Sequence, residues 1–460
     1  MIGRTIRRLR TEAGHSQQAL AVRLGISASY LNLIEHDQRA VTASLLIRLS
    51  EVLGVDLAAL SGHSERQVET QLREVFADPL LAGDPVPDSE ITTLATATPG
   101  AARTILALYR ALRVAREDAG GIALPSGRRI LLPTEEVRDF FNDHANHFPA
   151  LETIADTLSA ELGAHTAETG PAIAERLRLR HGVQVRITTS PTALRRFDPH
   201  TRKLSISDTL PPESRAFHLA FQLALLEARD TVDTMVTNAA PSSPEAEALL
   251  RVAFLNYTAG AVLMPYDLFL DAARDLRHDM DALAARFGVS FEQACNRLCS
   301  LQRPGNRGVP FFFLRVDPAG NISKRFSAAG FPFARFGGTC PRFVAHAALA
   351  TPGTLRVQVA QLPDGATFLC FARAIEGPKS SWAEPAPIHV LAMGCDITHA
   401  ANLVYADQLN LDAAATGIGL SCRLCDRPDC RSRAFPPLEH RLAIDPLTTS
   451  ASPYQFELKK

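Results

Sequence analysis

The chain has 460 residues, of which 46% are hydrophobic and 21% are charged. This length is too great for a single core and suggests about three globular domains. No segment approaches the roughly 20 apolar residues of a membrane span, and no apolar signal segment follows the N-terminus, so we expect a cytoplasmic protein without a membrane partner. In that compartment the eight cysteines are expected to be thiols or metal ligands rather than disulfides. The formal net charge of −1 means that any surface for nucleic acid must be local.

Two short helices joined by a tight turn are predicted near the N-terminus. The first runs from a serine cap at Ser16 to a stop at Gly25, and the second follows a serine cap at Ser27 and covers residues 28–35. This is the geometry of a helix-turn-helix, whose second helix enters the major groove of DNA. The residues expected to contact bases or phosphates are Gln17, Ser27, Ala28, Ser29, Asn32, Gln38 and Arg39.

The stretch from Ile2 to Leu60 resembles the Cro/phage-repressor type of helix-turn-helix domain. The resemblance rests on S-Q-x-x-L-A at residues 16–21 and G-I-S-x-S-Y-L-x-x-I-E at residues 25–35. It implies a five-helix domain over residues 1–62 that binds an operator in double-stranded DNA. Because such proteins normally read paired half-sites, it also implies a homodimer or a higher homo-oligomer.

Residues 63–148 are predicted to form a helical connector. Helices over 66–76, 101–117 and 134–142 are separated by loops rich in glycine and proline. This segment would offer a dimer surface, and an inert spacer is the other interpretation.

The pattern changes over residues 149–300. Helices are predicted over 151–162 and 171–180, strands over 183–187 and 203–207 with the turn Asp198–His200 between them, and a strongly apolar helix over 215–227. This setting resembles the IrrE/ImmA family of zinc metallopeptidase-like domains, in which the apolar helix carries H-E-x-x-H.

The metal-binding and catalytic positions of that family are not kept here. The motif positions hold Phe221, Gln222 and Leu225, and Ala261 stands where a third ligand would be expected. Zinc needs N, S or O donors and peptide hydrolysis needs a base. We therefore expect a degenerate peptidase fold that is no enzyme and has no catalytic residues. His218, a lone histidine one turn away, is interpreted as structural.

Arginines are frequent around the predicted strands. Guanidinium groups suit phosphates, so Arg195, Arg196 and Arg215 are candidate ligand-binding residues. A solvated charged face is the alternative for each of them.

The last third of the chain combines an aromatic strand-like run over 308–317, a turn at Asp317–Gly320 and a C-x2-C-x4-C run. With the upstream segments, it resembles the short-chain fatty acyl-CoA regulators, which join a repressor-type helix-turn-helix to an IrrE-like domain and a cysteine-bearing C-terminal domain. The resemblance predicts a multidomain, mainly α protein with α+β parts, whose C-terminal α+β domain covers residues 301–460.

The cysteine run Cys422, Cys425 and Cys430 is a candidate metal site. Its residues alone leave an iron–sulfur cluster, zinc and no metal open, because the spacing is neither a zinc knuckle nor a ferredoxin motif. The family resemblance favours a [4Fe–4S] cluster. Cys395 is the first choice for a fourth ligand, before Cys340 and His399, while Cys295, Cys299 and Cys370 are interpreted as core residues.

The resemblance implies a DNA-binding transcription regulator of acetate and propionate metabolism that senses acyl-CoA and, through the cluster, redox state. Two alternatives stay open. One is a purely redox- or metal-sensing regulator, and the other, against which the lost motif argues, is a metallopeptidase-type regulator.

Overall fold

The computed structural model describes residues 3–457 except 37, 55–62, 79–85, 120–132, 164–167, 190–192, 334–338, 379–381, 384, 408, 412, 414 and 438–439. The chain divides into two compact units. The terminal unit comprises residues 1–130, 330–339 and 419–460, and the central unit comprises 131–329 and 340–418. The domain boundaries expected at residues 62, 148 and 300 stay predictions.

The terminal unit begins with four described helices: α1 (Gly3–Glu12), α2 (Gln17–Leu24), α3 (Ala28–Glu35) and α4 (Ala43–Leu53). The expected fifth helix lies outside the described residues. Both predicted serine caps are present, since the Ser16 hydroxyl accepts from the backbone N–H of Ala19 and that of Ser27 accepts from Tyr30. Ile6, Leu20, Leu31, Ile34 and Leu49 form the centre of a small apolar core.

Three further helices pack together in the terminal unit: α5 (His63–Phe76), α6 (Asp88–Ala97) and α7 (Pro99–Ala119). Their shared core includes Leu72, Ile91 and Leu106. Helix α6 was not predicted, because its sequence contains three threonines, which are weak helix formers. Its stability comes from burying one face against α5 and α7.

The central unit opens with helices α8 (Pro133–Asp143), α9 (Pro149–Leu162) and α10 (Thr169–His181), followed by a three-stranded sheet of β1 (Gln184–Thr188), β2 (Arg195–Asp198) and β3 (Lys203–Ser207). The strand order is β1-β3-β2, with β1 parallel and β2 antiparallel to β3. The predicted turn at Asp198 therefore joins β2 to β3, and not β1 to β3. The polar sequence of β2 has no apolar alternation that would have marked it as a strand.

Six helices complete the helical part of the central unit: α11 (Pro212–Glu227), α12 (Arg229–Ala239), α13 (Pro244–Leu263), α14 (Tyr266–Asp275), α15 (Met280–Phe287) and α16 (Phe291–Cys299). Among the described residues no single helix has both the length and the apolarity of a membrane span, although α13 and α14 pass that test together across a 62° bend. Both helices bury much of their apolar surface in the core of this unit.

A six-stranded sheet follows, built from β4 (Phe312–Val316), β5 (Ile322–Ser327), β6 (Arg356–Gln361), β7 (Thr367–Glu376), β8 (Ile388–Asp396) and β9 (Thr416–Gly417), with helix α17 (Val344–Leu349) between β5 and β6. The order is β5-β4-β8-β7-β6-β9. Gly394 of β8 is required by close packing, because a Cβ there would lie 2.5 Å from the Phe312 ring. The predicted hairpin at Asp317–Gly320 is confirmed by the antiparallel pairing of β4 with β5.

One continuous apolar core joins the helices of the central unit to a single face of this sheet. Phe254 and Leu298 from the helices belong to the same cluster as Leu369, Met393 and Cys395 from the strands. Residues on either side of position 300 therefore fold together as one packed body. The mixture of helices with two sheets confirms the predicted fold class.

Candidate functional site

The first candidate site is the exposed face of helix α3. The predicted DNA contacts on this face and just beyond it are solvent-exposed and therefore accessible to DNA: Ser27, Ala28, Ser29, Asn32, Gln38 and Arg39. Gln17 is half-buried, and its amide donates to the Asn32 side chain at 3.2 Å and to Glu35 at 2.9 Å. Gln17 thus contacts Asn32, which is predicted to face the bases, instead of projecting freely.

A buried ion pair fixes helix α3, the predicted reading helix of the helix-turn-helix, to helix α1. The Arg10 guanidinium donates to both carboxylate oxygens of Glu35, at 2.6 and 3.2 Å, and Glu35 is only 2% exposed. Such a two-pronged bond sets direction as well as distance. The exposed face of α3 therefore rests on a rigid base.

Leu33 is a surface residue of the same helix that was not selected from the sequence. It is 36% exposed and lies four residues after Ser29, on the same side of the helix. An apolar side chain in that position can contact the methyl group of thymine. Its spacing from Ser29 was the signal that could have identified it.

The second candidate site is a cavity of about 670 Å³ within the central unit. Elements distant in sequence form its walls: helices α8, α11, α13 and α16 and the hairpin β4–β5. Its charged lining residues are Arg138, Glu292, Arg297, Lys324 and Arg325. Its aromatic lining residues are Phe141, Phe217, Tyr257, Phe313 and Phe326.

The cations of the cavity outnumber the acids that neutralise them. The Glu135 carboxylate forms ion pairs with both Arg138 and Arg325, the latter at 3.3 Å. The Glu292 carboxylate forms ion pairs with Lys324 at 3.2 Å and with Arg315 at 3.6 Å. Each of these two carboxylates is shared by two cations, and the described lining of the cavity contains four cationic side chains and one acidic one.

Glu292 is held as an anion. Burial by itself raises the pKa of Glu292, but the hydrogen bond from His389 and the charges of Lys324 and Arg315 outweigh it and lower that pKa to about 2. The carboxylate is therefore ionised at neutral pH.

Arg297 is a structural cation of the cavity wall. Its guanidinium makes two bonds to the Glu152 carboxylate at 2.7 and 2.8 Å and one to the Met264 carbonyl at 2.8 Å. The hydroxyl of Tyr257 also donates to Glu152. Arg297 and Glu152 are both almost fully buried, so the charge of this arginine is already matched.

The arginines predicted to bind a ligand lie outside this cavity. The Arg215 guanidinium donates to the carbonyls of Leu210 at 2.7 Å and Asp208 at 2.9 Å, which joins the start of α11 to the preceding loop. Arg196 is exposed on β2. Arg195 reaches the former peptidase motif instead, where its guanidinium lies 4.2 Å from the centre of the Phe221 ring.

The former peptidase motif is buried on helix α11. Phe221 and Gln222 are buried, and the nearby Ala261 of α13 is fully buried. Among the described residues no group of three or more His, Cys, Asp or Glu side chains is placed to hold a metal ion. His218 is half-buried on the same helix, and burial together with Arg195 lowers its pKa.

The third candidate site is the cysteine run of the terminal unit. The buried Arg433 guanidinium donates to the carbonyls of Cys422, Cys425 and Arg427 at 2.8–2.9 Å. The backbone N–H of Ala434 donates to the Cys422 sulfur at 3.3 Å. One arginine thus organises the loop that carries the three cysteines.

The loop approaches its neighbouring backbone closely at Cys425. A Cβ on Gly419 would lie 2.9 Å from the Cys425 sulfur, so only glycine fits there without a shift. Burial raises the pKa of the Cys425 thiol. In the described arrangement the three thiols do not form a metal ligand set, and the loop is held by the hydrogen bonds of Arg433.

The remaining cysteines are core residues of the central unit. Cys295, Cys299 and Cys370 are buried as predicted. Cys395, the preferred fourth ligand, lies on β8 with its side chain in the apolar core, and burial raises its pKa to about 12. Cys340, the second choice, is also buried.

Three known protein families match successive parts of the chain. A helix-turn-helix family matches residues 6–60, and the family described as IrrE N-terminal-like domain matches residues 178–299. The family described as short-chain fatty acyl coenzyme A regulator, C-terminal, matches residues 300–454.

Curated relatives are similar over almost the whole chain. The HTH-type transcriptional regulator RamB of Mycobacterium tuberculosis is 41% identical over 98% of both chains. The propionyl-CoA carboxylase regulator of Cereibacter sphaeroides is 39% identical over 99% of this chain and 98% of its own. The HTH-type transcriptional regulator PrpR of Mycobacterium tuberculosis is 39% identical over 98% of this chain and 95% of its own.

A solved structure shares the fold of a large part of the chain. The structure titled Mycobacterium tuberculosis transcriptional regulator aligns with a TM-score of 0.68 and 42% identity, and covers 71% of this chain and 100% of that chain. These relatives are named as regulators of transcription and not as enzymes. The chain belongs to the family of helix-turn-helix transcriptional regulators that carry the short-chain fatty acyl coenzyme A regulator C-terminal domain.

Proposed function

We propose that this regulator changes its affinity for operator DNA when a short-chain acyl-coenzyme A occupies the cavity of the central unit. The observation that carries this proposal is the cavity itself, whose 670 Å³ volume is typical of small-molecule sites and whose lining combines surplus cations with aromatic rings. The metabolic genes under its control would be those of acetate and propionate use, in keeping with the family description and with the relative named as a propionyl-CoA carboxylase regulator.

The two kinds of lining residue suit the two ends of an acyl-coenzyme A. Lys324, Arg325 and Arg138 can exchange their shared carboxylates for phosphate oxygens, which offer a denser negative charge. Phe141, Phe313 and Phe326 offer apolar surface to the acyl chain or a stacking face to the adenine ring. Arg297 shapes the wall of the cavity but offers little charge to a ligand, because Glu152 already pairs with it.

The effector proposal is tested by calorimetric titration of the full-length protein with propionyl-CoA, acetyl-CoA and coenzyme A. Lys324→Ala removes one cation of the cavity lining, which shares Glu292 with Arg315, and should weaken binding of all three by about 10-fold or more, since hydrogen bonds to charged groups contribute roughly 1.5–3 kcal/mol. Lys203→Ala, an exposed change of equal charge outside the cavity, is the matched control. Equal affinities in the two variants, or no binding of any of these ligands to the wild type, would overturn the proposal.

The DNA-bound form is proposed to be a homodimer in the cytoplasm, where the operators lie. Helix-turn-helix proteins read two half-sites about one helical turn apart, and one copy of this chain presents one reading helix. Native mass spectrometry of the complex with a two-half-site operator should show two chains per duplex. A single chain per duplex would contradict the dimer.

We further propose that Cys422, Cys425 and Cys430 bind a [4Fe–4S] cluster once their loop rearranges, with zinc as the alternative metal; Cys395, expected from the sequence as a fourth ligand, lies in the core of the central unit. The C-x2-C-x4-C spacing and the hydrogen bond from Ala434 to the Cys422 sulfur support thiolate chemistry in this loop.

Protein purified without oxygen should contain about four irons per chain and absorb visible light, and Cys425→Ser should remove both the iron and the absorption. Cys370→Ser, at a core cysteine, should keep both. Colourless wild-type protein with stoichiometric zinc would decide for the alternative, and protein with neither metal would reject both.

A further inference from the structure

The positions of helix α11 that resemble the H-E-x-x-H motif are in contact with a side-chain cation in this chain. Arg195 extends from strand β2 towards helix α11, and its Nη1 donates to the Oε1 of Gln222 at 2.8 Å. Its guanidinium also lies over the Phe221 ring. The two residues it contacts are the ones that replace the first histidine and the glutamate of the H-E-x-x-H motif.

The charge of Arg195 is not neutralised within the described part of the chain. No ion pair involves it there, and burial alone lowers its pKa, with no carboxylate to offset that effect. Other half-buried arginines of the central unit behave differently: Arg176, for example, pairs with both Glu227 and Glu161. A partly buried cation without an acid is costly and favours an anion from solution.

Gln222, which contacts Arg195, carries a hydrogen-bond donor that lacks an acceptor within the described part of the chain. Its side chain is 0% exposed, and its Nε2 has no hydrogen-bond partner among the described residues. The orientation of the amide is settled by Arg195, because the guanidinium can only donate and therefore needs the oxygen of the amide. The Oε1 of Gln222 thus accepts from Arg195, while the Nε2 of the same amide keeps N–H groups without an acceptor among the described residues.

An acceptor with negative charge that lies within reach of both groups would satisfy them together. Water could accept from the amide but would leave the guanidinium charge unmatched, whereas a carboxylate or a phosphate provides the charge and several acceptor oxygens. We propose that Arg195 and Gln222 form a binding site for a small oxyanion, a carboxylate or inorganic phosphate, between strand β2 and helix α11.

This site is separate from the acyl-coenzyme A cavity. Neither Arg195 nor Gln222 lines that cavity, so the two sites can succeed or fail independently. His218, one turn before Gln222, is half-buried and lies close enough for the Arg195 charge to lower its pKa.

The first test titrates acetate, propionate and inorganic phosphate separately into the full-length protein, with calorimetry as the readout. Whichever oxyanion binds the wild type should bind Arg195→Met at least about tenfold more weakly, because a charge-assisted pair is lost. Arg186→Met, an exposed arginine on the neighbouring strand β1, should bind as the wild type does. Binding of propionyl-CoA should be unchanged in both variants, which separates this site from the proposed effector site.

The second test uses Gln222→Glu, which supplies the missing anion from within the chain. The new carboxylate would pair with Arg195, so this variant should melt at a higher temperature than the wild type and should no longer bind the oxyanion. The double variant Gln222→Glu/Arg195→Met leaves the buried carboxylate alone and should melt below the wild type. A lower melting temperature for Gln222→Glu alone, equal oxyanion binding in the wild type and Arg195→Met, or no binding of the three anions to the wild type would each overturn the proposal.

Discussion

Asn32 is the exposed residue at the centre of the reading helix, and its amide can form two hydrogen bonds with an adenine edge. Its truncation leaves the buried face of the helix untouched, since Leu31 and Ile34 carry the packing. We therefore expect Asn32→Ala to weaken operator binding by about 1–3 kcal/mol, while binding to unrelated DNA changes little.

Fluorescence anisotropy with operator and scrambled duplexes at one fixed salt concentration measures this difference. Ser44→Ala, an exposed serine on helix α4, is the control and should leave both affinities unchanged. An equal loss on both duplexes would show that Asn32 contacts the DNA backbone and not the bases.

Glu152 is a residue whose role lies in stability. Burial alone would raise its pKa, but the Arg297 guanidinium dominates and the pKa of Glu152 is lowered. A carboxyl group whose pKa is lowered on folding stabilises the protein above its unfolded pKa, and this contribution is lost as the pH falls through the folded value. The contribution is thus complete at neutral pH and declines below about pH 4.3, the ordinary pKa of glutamate.

Glu152→Gln removes this contribution and leaves the buried Arg297 charge without its partner. The expected loss at pH 7 is about 3–5 kcal/mol in the free energy of unfolding, the usual cost of breaking a buried pair from one side. Urea unfolding at several pH values measures it, and the gap between wild type and variant should narrow in acid. The exposed Glu245→Gln should unfold as the wild type does, and a gap that is constant with pH would refute the assignment of this effect to charge.

At the scale of elements, helix α8 brings an acidic residue to the arginines of the cavity wall. Glu135 pairs with Arg138 of the same helix and with Arg325 of the hairpin β4–β5. A ligand phosphate must compete with this carboxylate for both arginines. Glu135→Gln should therefore strengthen coenzyme A binding several-fold, since the competing charge disappears.

The adjacent residue offers a matched control for that experiment. Glu136 carries the same charge on the same helix, but its carboxylate accepts from the backbone N–H and the hydroxyl of Ser242. Glu136→Gln should therefore leave the affinity for coenzyme A close to that of the wild type. If both variants gain the same affinity for coenzyme A, the effect comes from overall charge and not from competition for Arg138 and Arg325.

The same elements show how far sequence reasoning reaches. Helices α2 and α3 were predictable because Ser16, Gly25 and Ser27 signal their ends locally. Strand β2 was missed because it has four residues and no apolar alternation, and its place at the sheet edge is decided by pairing with β3. The cavity was not predictable either, since its walls come from helices and strands whose contact depends on the tertiary fold.

At the scale of the whole molecule, the division of the chain separates the two proposed activities. The reading helix belongs to the terminal unit, and the cavity belongs to the central unit. The terminal unit also contains residues 419–460, so the cysteine run is grouped with the reading helix and not with the cavity. Under these proposals, a change at the cysteines would act within the unit that contains the helix-turn-helix, whereas an acyl-coenzyme A in the cavity would act from the other unit.

Such an effector can regulate DNA binding only if it binds two states of the protein with different affinities. Linkage then requires that the factor by which propionyl-CoA changes operator affinity equals the factor by which operator DNA changes propionyl-CoA affinity. A coupling of about 1–3 kcal/mol, or roughly 5–150-fold, is the usual range. We expect both titrations of the full-length protein to give the same factor within that range.

Lys324→Ala distinguishes binding from coupling in this experiment. The variant should need more propionyl-CoA to reach saturation, but at saturation its operator affinity should shift by nearly the same factor as in the wild type, because Lys324 is expected to hold the ligand and not to transmit the change. A wild-type operator affinity that stays constant up to saturating propionyl-CoA would remove the acyl-coenzyme A from the regulatory mechanism. The cysteine run would then be the remaining candidate for the signal, because it is the other proposed sensor in the chain.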